Sequence, residues 1–254
     1  MTRRADRYEQ TNRTFWDGDA DDYQAAHHTD ISNPAWGAFR VPEATVGALP
    51  ALAGLDVLEL GCGGVQGSIA FTGAAARSVG MDLSIRQLRH GRDHVAAAGR
   101  RLPLVCGSAL ATPFRDGSFD FVFCDHGAMS FCDPFVTVPE VARVLRTGGR
   151  FVFSISTLLH NVCFPLDDPD ATISSELVQP MFGTRHFDWG DGTIDFQMLH
   201  GDWIRLFRAN GFVIEDLLEL RPPDDAATGY EGFADLGWAQ RWPAEEIWKV
   251  RLEG

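Results

Sequence analysis

The sequence predicts an α/β fold, a doubly wound, mostly parallel seven-stranded sheet with helices on both faces. Three observations predict it. From Asp56 onward, short apolar runs alternate with segments of helical period. The first run, in "VLELGCGGVQGS" (Val57–Ser68), leads straight into a glycine-rich turn, the layout of a strand, turn and helix. The chain has 254 residues and is 45% hydrophobic, enough for one substantial core and cramped for two domains.

Residues 1–50, rich in Asp, Arg and aromatics, read as helical segments forming a lid before the core. Strands are expected at Asp56–Leu60, Ser78–Asp82, Leu102–Gly107, Phe119–Asp125 and Arg150–Ser156. Between the first two, "QGSIAFTGAAARS" offers small and apolar residues for close packing on the sheet. Ser84 is a candidate N-cap for the next helix, where Ile85, Leu88 and Val95 have roughly helical spacing. The segment "VTVPEVARVLRTGGR" predicts a helix that stops at Gly148 and Gly149 before the fifth strand.

The alternation then breaks. Residues 157–200 are too long for a structureless loop in a compact domain, and Asp191-Gly192 suits a hairpin turn, so they read as an inserted substrate cap. "GDWIRLFRANGF" follows as a helix stopped by Gly211, then "FVIEDLLELRP" and "EEIWKVRL" as sixth and seventh strands. With only a loop between them, these two are expected as antiparallel neighbours. The expected organisation is one domain over 1–254: lid 1–50, core 51–156, cap 157–200, and the remaining sheet in 201–254.

A formal net charge of −13 disfavours nucleic acid as a partner. Arg86, Arg89 and Arg92 read as a solvated helix face. Five scattered cysteines fit no closed disulfide framework and suit a reducing setting. "MTRRADRYEQ" lacks a signal-peptide core and no run approaches the ~20 apolar residues of a membrane span, so a soluble, cytoplasmic protein is expected.

The glycine turn lacks the third glycine of G-x-G-x-x-G, since position 66 is Gln66, which argues against a nicotinamide enzyme. "VLELGCGG" resembles instead the first motif of class I S-adenosylmethionine-dependent methyltransferases, small-molecule type, where an acid precedes the first glycine by two positions. "VGMDLS", "GSALATPF", "GSFDFVFCD" and "PEVARVLRTGGRFVFS" resemble the family's later motifs in order, over roughly residues 55–220. The resemblance implies a Rossmann-like methyltransferase fold, S-adenosyl-L-methionine as cofactor, and methyl transfer to a small molecule.

By that resemblance, cofactor contacts fall on Glu59, Gly61, Cys62 and Gly63, on Asp82 and Leu83, on Ser108 and Ala109, and on Cys124 and Asp125. Glu59 would face the amino acid end, where a carboxylate suits an ammonium, and Asp82 the ribose hydroxyls. Tyr23, in "DADDYQ", resembles an aromatic placed over the cofactor. Four positions depart from the family pattern: Ser108 where an Asp is frequent, Met129 and Ser130 where a His pair is frequent, and Val65 in place of a glycine.

Methyl transfer is an in-line displacement that needs positioning and a dry site, and a hydroxyl acceptor also benefits from a general base. His126, directly after the fourth strand in "CDHG", is the first candidate and His160 the second. His90 and His94 have a metal-compatible spacing without a third ligand, so no metal is expected. His27 and His28 belong to the lid segment, and His186 and His200 flank the predicted hairpin. Aromatics at Trp16, Tyr23, Trp36, Phe164, Phe182, Phe187 and Trp189 offer pocket walls, though more than half are expected in the core. The alternatives are a non-catalytic module that binds the cofactor and a nucleic-acid methyltransferase. The second is disfavoured by charge and by the missing Pro-Pro-aromatic signature in "CDHGAM".

Overall fold

The computed structural model describes residues 2–27, 30–73, 76–165, 172–230 and 232–254, so His28 and residues 166–171 of the insertion lie outside the described residues. Helices α1 (Thr2–Gly18) and α2 (Ala20–Ala26) come first, as expected for the lid segment. A small antiparallel pair, β1 (Ala35–Trp36) and β2 (Val41–Pro42), precedes α3 (Glu43–Val46).

The strand and helix units follow: β3 (Asp56–Leu60), α4 (Gln66–Thr72), β4 (Arg77–Asp82), α5 (Ile85–Ala97) and β5 (Leu104–Cys106). Next come β6 (Phe119–Asp125), α6 (Gly127–Phe131), α7 (Pro134–Val144) and β7 (Leu145–Ser156). The Ser84 hydroxyl accepts from the Gln87 N–H at 3.1 Å, so it caps α5 as its residue type predicts. The insertion holds α8 (Leu158–Val162) and the hairpin β8 (His186–Asp188) with β9 (Ile194–Phe196), where Asp191 Oδ1 accepts from the Thr193 N–H in the turn. The chain ends in α9 (His200–Ala209), β10 (Phe212–Leu220), α10 (Leu236–Ala239) and β11 (Glu245–Leu252).

Seven strands form one sheet in the order β10-β11-β7-β6-β3-β4-β5. β11 runs antiparallel to both β10 and β7, and the others pair in parallel. Successive side chains of a strand face opposite ways, so Leu58 and Phe153 join one apolar layer with Trp203 and Phe207, while Val57 and Val152 join another with Trp36 and Trp238.

Two boundaries differ from the sequence expectation. The third strand starts at Leu104 because Pro103 has no N–H to donate to a ladder. The helix before the fifth strand ends at Val144, and β7 begins at Leu145 rather than Arg150. Gly148, with φ 81, and Gly149 lie where the β6–β7 register shifts, so this glycine pair makes a bulge within the strand instead of a helix stop.

The chain order reverses at β3, which has β4 on one side and β6 on the other. That switch point opens a crevice at the carboxyl ends of the strands.

Candidate active site

A cleft of about 330 Å3 sits at this crevice. Its floor comes from strand ends, at Glu59, Asp82, Asp125 and Ser156, and its walls from Trp16, Tyr23 and Gln24 of the two N-terminal helices and from Asp195 of β9.

Glu59 is only 4% exposed, and its Oε2 accepts from the Ser68 N–H at 2.7 Å. Burial pushes its carboxyl up to about 8, with Asp125 and Asp82 adding to the rise. A Cβ at position 67 would collide with Glu59 Oε1, so Gly67 is what lets the carboxylate stand against the start of α4. Asp82 accepts from the Gly63 N–H at 2.8 Å and from the Ser84 N–H at 2.7 Å, and burial raises its carboxyl too. Each oxygen keeps a lone pair for a further donor.

His126 follows β6 with φ 55 and ψ −89, an uncommon backbone for a residue with a Cβ. Its N–H donates to Ser154 Oγ at 3.1 Å, and Ser154 in turn donates to Asp125 Oδ1. The ring Nε2 lies 2.6 Å from Glu245 Oε1, at the start of β11. Burial opposes protonation of His126, but the Glu245 carboxylate, with Asp125 and Asp195 adding, outweighs it and raises the imidazole's proton affinity. Asp195 also faces the cleft, and burial pushes its carboxyl up to about 7.

Glu59, Gly61, Cys62, Gly63, Asp82, Leu83, Ala109, Asp125, His126 and Tyr23 all line this one cleft. Three expected contacts do not. Ser108 is turned to α1, where its hydroxyl donates to Glu9, and it accepts from the Leu110 N–H. Cys124 is fully buried beneath the His126 turn, its Sγ against His126 O at 3.0 Å. His160 is 4% exposed with both ring nitrogens engaged, by Asn161 Oδ1 at 3.0 Å and Phe233 O at 2.8 Å, and burial lowers its proton affinity.

His90 and His94 face different partners, Asp21 at 2.8 Å and Gly64 O at 2.9 Å, rather than a shared point. Among the seven aromatics, Trp16 and Tyr23 line the cleft, Trp36 and Phe187 are buried in apolar clusters, and Phe182 is 86% exposed. Sequence reasoning missed Gln24, Gln87, Asp195, Tyr230 and Glu245. None lies in a glycine motif, and the chain alone gives no sign that residue 245 reaches residue 126.

Residues 58–153 match the family model described as a methyltransferase domain. The demethylmenaquinone methyltransferase of Thermobifida fusca is 36% identical over 126 residues, covering 49% of this chain and 52% of that protein. The one from Parafrankia sp. is 33% identical over 147 residues, covering 50% and 57%. Residues 58–153 thus form a methyltransferase domain within the chain. The chain spans about half the length of the curated relatives it matches.

Solved structures extend the likeness of fold beyond the matched segment. An S-adenosylmethionine-dependent methyltransferase from Mesorhizobium loti superposes with a TM-score of 0.63 at 20% identity, over 82% of this chain and 95% of its own. A geranyl diphosphate methyltransferase in complex with GPP and sinefungin gives 0.64 at 17%, over 96% and 98%. S-adenosylmethionine is the group that the resemblance of the glycine motif implies, and the lining of the cleft fits it. The cleft holds buried acidic side chains suited to a cation and to hydroxyl donors, beside buried polar atoms without a protein partner at Trp16 Nε1 and Ser130 Oγ. Among the described residues no helix is long and apolar enough to cross a membrane.

Proposed function

We propose that this chain transfers a methyl group from S-adenosylmethionine to a small-molecule acceptor. The carrying observation is the continuity of the cleft, which runs from Glu59 and Asp82 to an end walled by His126, Asp195, Tyr230 and Phe233. In this reading Glu59 and the turn at Gly61, Cys62 and Gly63 hold the cofactor's amino acid end. Asp82 takes the ribose, and Leu83 and Ala109 flank the adenine. When bound, the cofactor supplies an electrophilic methyl group on a sulfonium.

The acceptor end then belongs to the residues beyond. Tyr230 and Phe233 suit an apolar or aromatic acceptor, and the Tyr23 hydroxyl, 2.7 Å from that of Tyr230, ties the lid to this wall. The relatives named demethylmenaquinone methyltransferase have a small molecule in their name, and a net charge of −13 opposes a polyanionic acceptor.

Glu245 accepts from His126 Nε2–H, which orients the ring and leaves the Nδ1 lone pair as base. Nδ1 takes the proton that an acceptor hydroxyl or amine loses as its methyl bond forms, and Glu245 stabilises the resulting imidazolium. Insertion 157–200 acts as the cap by placing Asp195 at this end.

The test uses S-adenosylmethionine with an isotopically labelled methyl group and a panel of naphthols, phenols, amines and hydroquinones, read by mass spectrometry. Labelled product is expected from members of the panel. Tight cofactor binding without product across it would favour a non-catalytic module.

A further inference from the structure

Gln24 of the lid helix α2 and Gln87 of α5 are both buried, at 5% and 2% exposure. Gln24 Nε2 donates to Gln87 Oε1 at 2.7 Å. Two amide atoms are then left buried without a partner, the acceptor Gln24 Oε1 and the donor Gln87 Nε2, and both side chains line the cleft. Flipping both amides reverses which residue donates, yet still leaves one bare donor and one bare acceptor. Buried polar groups of this kind are normally satisfied by protein, water or ligand, so the pair offers one donor and one acceptor to whatever occupies the cleft beside it.

Its chemistry restricts that ligand. A phosphate only accepts, so it would leave the bare amide oxygen unmet and would be repelled by Asp82. An ammonium only donates, so it would leave the bare amide hydrogens unmet. A vicinal diol does both, because each hydroxyl donates and accepts. Position agrees: a Cβ on Gly63 would stand 3.8 Å from Gln87 Oε1, and the Gly63 N–H is itself bonded to Asp82.

We propose that Gln24 and Gln87 complete a ribose diol site with Asp82, and that Gln24 makes docking of the lid part of cofactor binding. The inference rests on the cofactor reading above and is independent of the acceptor. It also explains the extra glycine after the first motif. A Cβ at Gly64 would lie 2.6 Å from Gln24 Oε1, so any other residue there would push the lid amide away. The lid's ties to α5 from Asp21 to Arg86 and His90 and from Asp17 to Ser84 are made by residues outside the cleft lining.

Calorimetry with S-adenosylhomocysteine and its 2′-deoxy and 3′-deoxy analogues tests this. Gln24→Ala and Gln87→Ala should each weaken S-adenosylhomocysteine by about tenfold, the scale of one buried hydrogen bond. Removing a ribose hydroxyl should cost wild type about as much, and cost the matching variant much less, because the two losses share one interaction. Equal losses in wild type and variants overturn the shared site. The wild-type protein supplies a second measurement: S-adenosylhomocysteine should slow hydrogen exchange of the amides of α2, and unchanged exchange overturns the lid coupling. Wild type that binds S-adenosylhomocysteine without discriminating the deoxy analogues refutes this inference alone. Wild type that does not bind it refutes the cofactor reading as well.

Discussion

His126 and Glu245 meet at 2.6 Å although 119 residues separate them in the chain. Glu245 is 1% exposed and also accepts from the Ala38 N–H at 2.7 Å, so its charge is held by a backbone amide and an imidazole. The contact exists because β11 inserts antiparallel beside β7 and brings its first residue to the end of β6, two strands away. A late strand thereby sets the protonation of a residue that follows the fourth.

Glu245→Gln should lower the proton affinity of His126, since the carboxylate that outweighs the burial penalty is gone. If His126 must be neutral to act, the acid limb of the kcat profile should move to lower pH, by about one unit for a lost partner of this kind. The plateau rate should fall as well, because the imidazolium loses its stabilising charge. A limb that stays in place would show that some other group sets it.

His126→Ala should reduce kcat by about a hundredfold to ten-thousandfold, the usual worth of a general base, with S-adenosylhomocysteine affinity little changed. His160→Ala should behave in the opposite way. It leaves Phe233 O and Asn161 Oδ1 without their partner, at a cost of about 1–3 kcal/mol in stability, while the folded fraction keeps its kcat. Denaturant unfolding and steady-state rates on both variants decide the pair. Equal loss of rate in the two would remove the distinction between base and core residue.

What was legible in the sequence is what local pattern controls. Strands β3 and β6 were readable because parallel strands buried on both faces are largely apolar runs. Glu59, Asp82 and Asp125 were readable because each stands at or near a strand end beside a turn. Ser108 misled because a residue's place after a strand does not fix its rotamer, and Glu9 of α1 captured its hydroxyl. Cys124 misled because neighbours in a strand point to opposite faces, so Asp125 looks into the cleft while Cys124 looks into the core. Gln24 and Asp195 reach the cleft, and Glu245 reaches His126, only through tertiary packing of the N-terminal helices, the hairpin and the last strand.

Glu59→Gln should separate stability from binding. The carboxyl titrates near 4.5 in the unfolded chain and at about 8 when folded, so the folded protein retains a proton that the unfolded chain releases. Its contribution is therefore present below pH 4.5 and is lost as pH rises through about 8. An amide does not ionise, so the variant without ligand should melt several degrees above wild type at pH 8.5 and show a smaller difference at pH 5. S-adenosylhomocysteine affinity should fall by about tenfold or more, since a charge-assisted contact with the ammonium is lost. Scanning calorimetry at two pH values and titration calorimetry measure the two effects, and a variant melting below wild type at pH 8.5 would contradict the burial cost.

Val65 should invert the usual order of glycine and alanine. It stands where the family pattern has a glycine and keeps a left-handed backbone, φ 59, at the N-cap of α4. For a β-branched residue that conformation costs on the order of 1–3 kcal/mol. The side chain offsets it by being fully buried, with its methyl carbons over Gly80 and Gly91 and its cluster formed with Ile69, Leu88 and Leu102. Val65→Ala removes most of that packing and keeps the strain, whereas Val65→Gly removes both. Glycine should therefore be the less destabilising substitution, although in an ordinary helix it is worse than alanine by about 1 kcal/mol. Urea unfolding of the two variants checks the order, and alanine proving the more stable would mean that the backbone at 65 relaxes when the side chain is shortened.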